Sequence, residues 1–179
     1  VGIQGQTVVG DYTLLRSDFG GLGGAAYSIG TLTNLDEYSW SNLTITSEAI
    51  TIKLALTPLL TGYWVGGQTP GVNSWSQSGN WAASDGGSIR TVTPTAVSDI
   101  FIASTDAVHL HDMELGGNIT INSLTFVSAA ASQLNAGNTL TINQTTVDGS
   151  AITAESGAGA ATINASVNFA ANAAVTVNN

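Results

Sequence analysis

The order of apolar and polar positions predicts strands from one end of the chain to the other. Apolar side chains alternate with polar ones in short runs, the period of a strand with one covered face. The first run is Val8-Val9-Gly10-Asp11-Tyr12-Thr13-Leu14-Leu15. Tyr27–Leu35, Tyr38–Ile45 and Ala49–Leu56 follow, and in the last of these Ile50, Ile52, Leu54 and Leu56 alternate with Thr51, Lys53 and Ala55. Strand pattern returns at Asp99-Ile100-Phe101-Ile102-Ala103. Turn-forming clusters at 20–24, 66–67, 69–71, 86–87 and 93–94 separate the runs, and no stretch carries the 3.6-residue apolar period of a helix. The expected fold is all-β.

A repeat sharpens that expectation. Thr120-Ile121-Asn122, Thr141-Ile142-Asn143 and Thr162-Ile163-Asn164 are identical tripeptides spaced 21 and 21 residues apart, and Thr176-Val177-Asn178 echoes them. Glycine-containing turn signals precede each of the three. A chain that makes one turn per period stacks equivalent strands about 4.8 Å apart. Such a stack needs an apolar residue facing inward at each turn, the place of Ile121, Ile142 and Ile163. It also needs small residues where the chain bends, and the Ala/Ser/Gly runs at 128–132 and 157–161 supply them. Asn122, Asn143 and Asn164 are candidates for a ladder of stacked amides. The pattern predicts a parallel β-helix of about 21-residue rungs over 105–179.

The remainder divides in two. Residues 1–60 read as a strand-rich, cap-like end of a repeat unit. Residues 61–104 read as a Trp-rich connecting region that opens the next unit, with the boundary near 58–62. That region holds Trp64, Trp75 and Trp81, three of the four tryptophans. Tryptophan at this density packs as a plug; the competing use, with Tyr63 added, is a platform for sugar rings.

These segments resemble the autotransporter-associated β-strand repeat family. Gly10-Asp11-Tyr12-Thr13-Leu14-Leu15, Ile29-Gly30-Thr31-Leu32 and Ala49-Ile50-Thr51-Ile52-Lys53-Leu54 are similar to the end of one such unit. Trp64, Trp75, Asn80-Trp81, Pro94 and Asp99-Ile100-Phe101 are similar to the opening of the next. Gly117–Phe126 and Gly137–Ile142 are similar to its rungs. The resemblance implies a bacterial, secreted or surface-displayed parallel β-helix that serves as adhesin, surface layer or scaffold, with enzymatic insertions in a minority. It also implies that these residues are one stretch of a longer repeating polypeptide.

Charge narrows the partners. The chain has 179 residues with a formal charge of −9, and only Arg16, Lys53 and Arg90 are basic. Nucleic-acid binding needs clustered cations to neutralise phosphates, so it is excluded, and attraction to anionic membranes goes with it. No apolar run reaches the ~18–20 residues of a membrane-spanning helix, so this segment is not expected to insert. Cysteine is absent.

Candidate chemistry is sparse. The densest polar cluster is Asp99, Asp106, His109, His111, Asp112 and Glu114. On a strand, His109 and His111 would share a face, and with Asp112 they are weak candidates for a metal set. Asp112 and Glu114 are the pair that glycoside hydrolysis would use. Asp85 and Asp148 lie near turns that could hold Ca²⁺. No Gly-x-Ser-x-Gly or phosphate-cradling glycine motif occurs. No catalytic residue and no cofactor are expected. The function expected is non-catalytic: a segment of a bacterial cell-surface or secreted fibre or adhesin that assembles end to end with its own copies. The alternatives are a glycan-binding module built on Trp64, Trp75 and Trp81, or a polysaccharide-active enzyme.

Overall fold

A computed structural model describes residues 10–24, 26–27, 38–103, 107–144, 149–170 and 173–178. The expected strand over 27–35, the start of the first run at Val8-Val9, and the candidates Asp106 and Asp148 fall wholly or mostly outside the described residues. The chain is all-β and forms two compact units, Val1–Thr57 and Pro58–Asn179.

The first unit is an antiparallel sheet of β1 (Gly10–Arg16), β2 (Tyr38–Ile45) and β3 (Ala49–Leu56) in the order β1-β3-β2. The alternation along β3 sends Ile50, Ile52 and Leu54 to a buried face and Lys53 to an exposed one, while Leu56 is exposed. Thr46 closes the β2–β3 hairpin. Its Oγ1 accepts from the Ala49 amide at 2.9 Å, and its own amide donates to the Ala49 carbonyl at 2.8 Å. This unit is strand-rich, as the alternation predicts.

The second unit is built mostly from parallel strands. They are β4 (Thr61–Trp64), β5 (Trp81–Ala82), β6 (Asp99–Ile102), β7 (Ile119–Ile121), β8 (Ser123–Phe126), β9 (Ser132–Leu134), β10 (Thr139–Ile142), β11 (Ser150–Ala154), β12 (Ala161–Ile163), β13 (Ser166–Phe169) and β14 (Ala174–Val177). Three sheets result: a long one ordered β14-β11-β8-β6-β4-β5, a three-stranded one ordered β13-β10-β7, and a two-stranded one ordered β12-β9. Among the described strands of this unit, only β5 runs antiparallel, to β4. Segment 61–104 is therefore no mere connector, because β4 and β6 are strands of the long sheet.

From β7 onward the chain visits the three-stranded sheet, the long sheet and the two-stranded sheet in that order, and then repeats the order. Parallel pairing in register turns this recurrence into columns of like residues. Gly62, Ile100, Leu124, Ile152 and Val175 are successive partners in the long sheet. Ile121, Ile142 and Phe169 are partners in the three-stranded sheet. Met113 bridges Leu134, which pairs with Ile163, in the two-stranded sheet. Side chains from all three sheets meet in one apolar core, where Ile100, Ile121, Leu124, Met113, Leu134 and Leu140 are fully buried. The alternate positions face outward, and in the long sheet they include Thr125, Thr153 and Thr176.

The 21-residue period holds only in part. Leu140 pairs with Ile119 and Leu134 with Met113, both 21 positions back. The next returns are longer: Val167 lies opposite Leu140, 27 positions on, and Ile163 opposite Leu134, 29 on. Ile163 consequently belongs to a different sheet from Ile121 and Ile142, and the three do not form one core column. The cause is the unequal length of the bends. The bend between β8 and β9 packs against the one between β11 and β12, where the Gly159 amide donates to the Ser128 carbonyl at 2.8 Å. A Cβ on Gly159 would lie 2.5 Å from the Ala129 carbonyl oxygen. Replacing Gly159 by Ala forces one backbone off the other and is expected to cost about 1–3 kcal/mol. Gly117→Ala, in open space, is expected to change stability far less. Denaturant midpoints of the two variants check this.

Candidate functional site

One end of the second unit is closed by tryptophan. Trp64 on β4, Trp81 on β5 and Trp75 in the loop between them are all 0–1% exposed. Trp81 stands at the centre, with its ring centroid 5.3 Å from each of the other two in edge-on geometry (74° and 85°), the arrangement aromatic quadrupoles favour. Trp81 Nε1 donates to the Trp75 carbonyl and Trp64 Nε1 to the Val108 carbonyl, both at 2.8 Å. Trp75 Nε1 is buried without a partner. Gly62 makes the room: a Cβ there would lie 2.8 Å from Ile100 Cδ1 and 3.4 Å from Trp81 Cε3. Rings buried this deeply offer no face to a sugar. Tyr63 stacks on Phe101 at 5.0 Å and 15°, so each covers a face of the other.

Asn80 holds the plug loop. It is fully buried, donates from Nδ2 to the Gly71 and Ser74 carbonyls at 2.8 and 2.9 Å, and accepts at Oδ1 from the Gln68 amide at 2.9 Å. Its carbonyl accepts from the amides of Val65 and Gly66. The sequence pointed to Asn80 only as part of the Asn80-Trp81 resemblance and gave it no structural role; the available signal was an Asn directly before Trp81 in a loop rich in Gly and Ser.

The polar cluster is scattered. His109 and His111 lie in a turn, where alternation does not apply, and His109 has φ 57°. His109 Nδ1 donates to the Asp112 carboxylate at 3.1 and 3.2 Å, while His111 is exposed. The Asp112 carbonyl is taken by Asn73 Nδ2 at 2.9 Å. Asp99 is on β6 and accepts from Asn122 Nδ2 at 2.7 Å and Ser123 Oγ at 2.5 Å. Glu114 carries an exposed side chain and pairs through its backbone with Asn73 and Trp75. Among the described residues no group of three or more His, Asp or Glu could hold a metal ion.

The asparagine candidates do not form a ladder. Asn122 gives its amide to Asp99, and Asn164 follows β12 in another sheet. What the three share is backbone: their amides donate to Ser98, Ile121 and Leu134 carbonyls of the preceding layer, all at 2.8 Å. Beside the three-stranded sheet, a cleft of about 370 Å³ is lined by Ser76, Thr93–Ala96 and Asn118–Thr120, without an ionisable side chain.

Away from the plug, the outermost described strands are β12, β13 and β14, one from each sheet. Phe169, Val175 and Val177 are 38%, 60% and 65% exposed, whereas Ile142, Leu124 and Phe126, further along the same columns, are at most 3% exposed.

This chain matches no family model, no curated protein and no solved structure. Among the described residues no helix is long and apolar enough to cross a membrane.

Two substitutions test the local geometry. Asn80→Asp turns two donors toward carbonyls into acceptors, and burial leaves no water to compensate. A loss of about 1–3 kcal/mol is expected, read as a lower thermal midpoint of the tryptophan fluorescence transition. At His109 the left-handed backbone decides: Asn adopts it readily, whereas Val is strained by about 1–3 kcal/mol. His109→Asn is therefore expected to melt close to the parent and His109→Val clearly below it.

Proposed function

We propose that the second unit is a three-faced parallel β-helix, and that the chain is a non-catalytic structural segment of a secreted or surface-displayed bacterial protein that joins its own copies end to end. The observation that carries the reading is the repeated order of three parallel sheets around one core, plugged with tryptophan at its β4–β5 end. That architecture adds layers in one direction, which is how a fibre or stalk is lengthened. The polar groups support it as well, because they serve the framework. Asp99 ties β6 to the β7–β8 bend, His109 ties its turn to Asp112, and Asn80 fixes the plug loop. The resemblance to autotransporter-associated β-strand repeats points to the same location and role.

Negative-stain electron microscopy of the chain without ligand tests the proposal. Particles joined at their ends, two or more subunits long and more abundant at higher concentration, are the expected result. Separate single particles at every concentration overturn it.

A further inference from the structure

On the plugged side the three-stranded sheet stops short of the long one. The long sheet continues past β8 through β6, β4 and β5, whereas among the described strands the three-stranded sheet ends at β7. Residues 93–96 face β7 across the cleft of about 370 Å³ and form no strand. Pro94 in that segment has no amide hydrogen to give a ladder. Their turn is held in place: the Ser98 amide donates to the Thr95 carbonyl and the Thr95 amide to Ser98 Oγ, both at 2.8 Å, and Ser98 Oγ donates to the Leu59 carbonyl. The cleft is thus a gap between two fixed walls inside the unit.

One wall carries backbone groups that no strand takes. The Asn143 amide donates to the Ile121 carbonyl at 2.8 Å, so Ile121 turns its peptide groups toward β10, and Ile119, two residues earlier, does the same. Thr120 between them turns its amide and carbonyl the other way. On that side the Asn122 amide donates to the Ser98 carbonyl at 2.8 Å. The Thr120 amide and carbonyl therefore face the cleft. Hydroxyls of Ser76, Thr93, Thr95 and Thr120 also line it, as does Asn118, whose Oδ1 accepts from the Thr139 amide at 3.0 Å and whose Nδ2 is left to donate.

The lining selects a class of ligand. No lining side chain ionises, so a charged group entering the cleft would lose water and find no counter-charge. Hydroxyls that both donate and accept, a fixed peptide donor and acceptor, and the apolar surfaces of Pro94, Ala96 and Ile119 suit a sugar ring, with its hydroxyl edge and C–H faces. The volume lies at the low end of small-molecule sites, about 300–1,000 Å³, which suits a short saccharide. An extended peptide pairing along β7 finds no through-passage. At one end Ser76 Oγ lies 2.3 Å from where a Cβ on Gly116 would stand, and at the other the bond from Asn122 to Ser98 bars the way. We propose that this cleft binds a neutral saccharide whose hydroxyls bond the Thr120 amide and carbonyl. The site goes beyond the end-to-end reading and does not depend on it.

Amide proton–nitrogen NMR spectra of the isotopically labelled full chain test the site, titrated with the methyl glycosides of glucose, galactose, mannose and N-acetylglucosamine. At least one glycoside is expected to give saturable shifts in the millimolar range, concentrated on the amides of Ser76, Thr95, Ala96 and Asn118–Thr120. Glucuronate and glucosamine, charged counterparts of two of these sugars, are expected to bind about tenfold more weakly or not at all. Thr120→Val keeps the side-chain shape at an exposed strand position and is expected to weaken binding about fivefold through loss of the hydroxyl. Ala96→Leu is expected to abolish binding by filling the cleft. Unchanged spectra away from the cleft and an unchanged tryptophan fluorescence midpoint show that each variant is folded. No saturable shift at these amides with any of the four glycosides overturns the proposal, and so do shifts centred on other residues. Charged sugars that bind as tightly as neutral ones overturn it, as does unchanged affinity in either variant. None of these outcomes bears on whether particles join at their ends, so the two readings fail separately.

Discussion

Parallel pairing in register is the constraint from which the rest of the second unit follows. Once Leu124 is set between Ile100 and Ile152 by backbone hydrogen bonds, every inward position of the long sheet must be apolar and every outward one free to be polar. Loop residues such as Leu59, Trp75, Leu110 and Leu115 complete the core. Within the sheets it is a set of columns one strand spacing apart, and each inward side chain is covered by its column neighbours and by the columns of the other sheets. Stability is then a matter of neighbours, and a first and a last layer are in trouble by construction.

The two ends meet that difficulty differently. The first layer replaces an aliphatic with Gly62, and the vacated space admits the Trp81 ring, flanked edge-on by Trp64 and Trp75. The three indoles fill that space, and two of their N–H groups are met by carbonyls, Trp81 by Trp75 in the same loop and Trp64 by Val108. The loop must be rigid to hold them, which accounts for a fully buried Asn80 with all three of its amide hydrogen bonds made within 66–80. At the last layer nothing comparable occurs. Phe169, Val175 and Val177 keep the chemistry of a core position and the exposure of a surface one.

Much of this was legible in the residues, and the part that was not has a physical reason. Alternation located β1, β2, β3 and β6, because a half-covered strand imposes a period of two on any sequence. The tripeptide Thr-Ile-Asn marks a real local event: at each occurrence a strand ends and an Asn amide reaches back to the previous layer. It does not say which sheet the strand joins. Any β-branched residue can stack on any aliphatic, so Ile163 fits over Leu134 as well as Ile121 fits beside Ile142. Sheet membership is decided by the bends, whose lengths vary and whose packing depends on contacts such as Gly159 against Ala129 that carry no periodic signal. The candidate metal cluster failed for a related reason. Alternation was extended from strands into 108–112, where His109 takes a left-handed turn and separates from His111.

Composition acts on the same layers. An acidic chain with little basic charge stays dispersed because its copies repel, and that protection matters most where strand edges are bare. Here it is withdrawn at that place: Glu155 follows β11, and the sequence beyond it is built from Ala, Thr, Asn, Ser, Gly and aliphatics. An edge meant to remain solitary would carry a Lys or an inward-pointing charge, as exposed edges of monomeric sheets do. No charge occurs across β12, β13 and β14, and the alternation of Val175-Thr176-Val177 continues that of the strands before it. At the plugged end, by contrast, burial of Trp64, Trp75 and Trp81 is complete among the described residues, without any charge being needed to guard the edge.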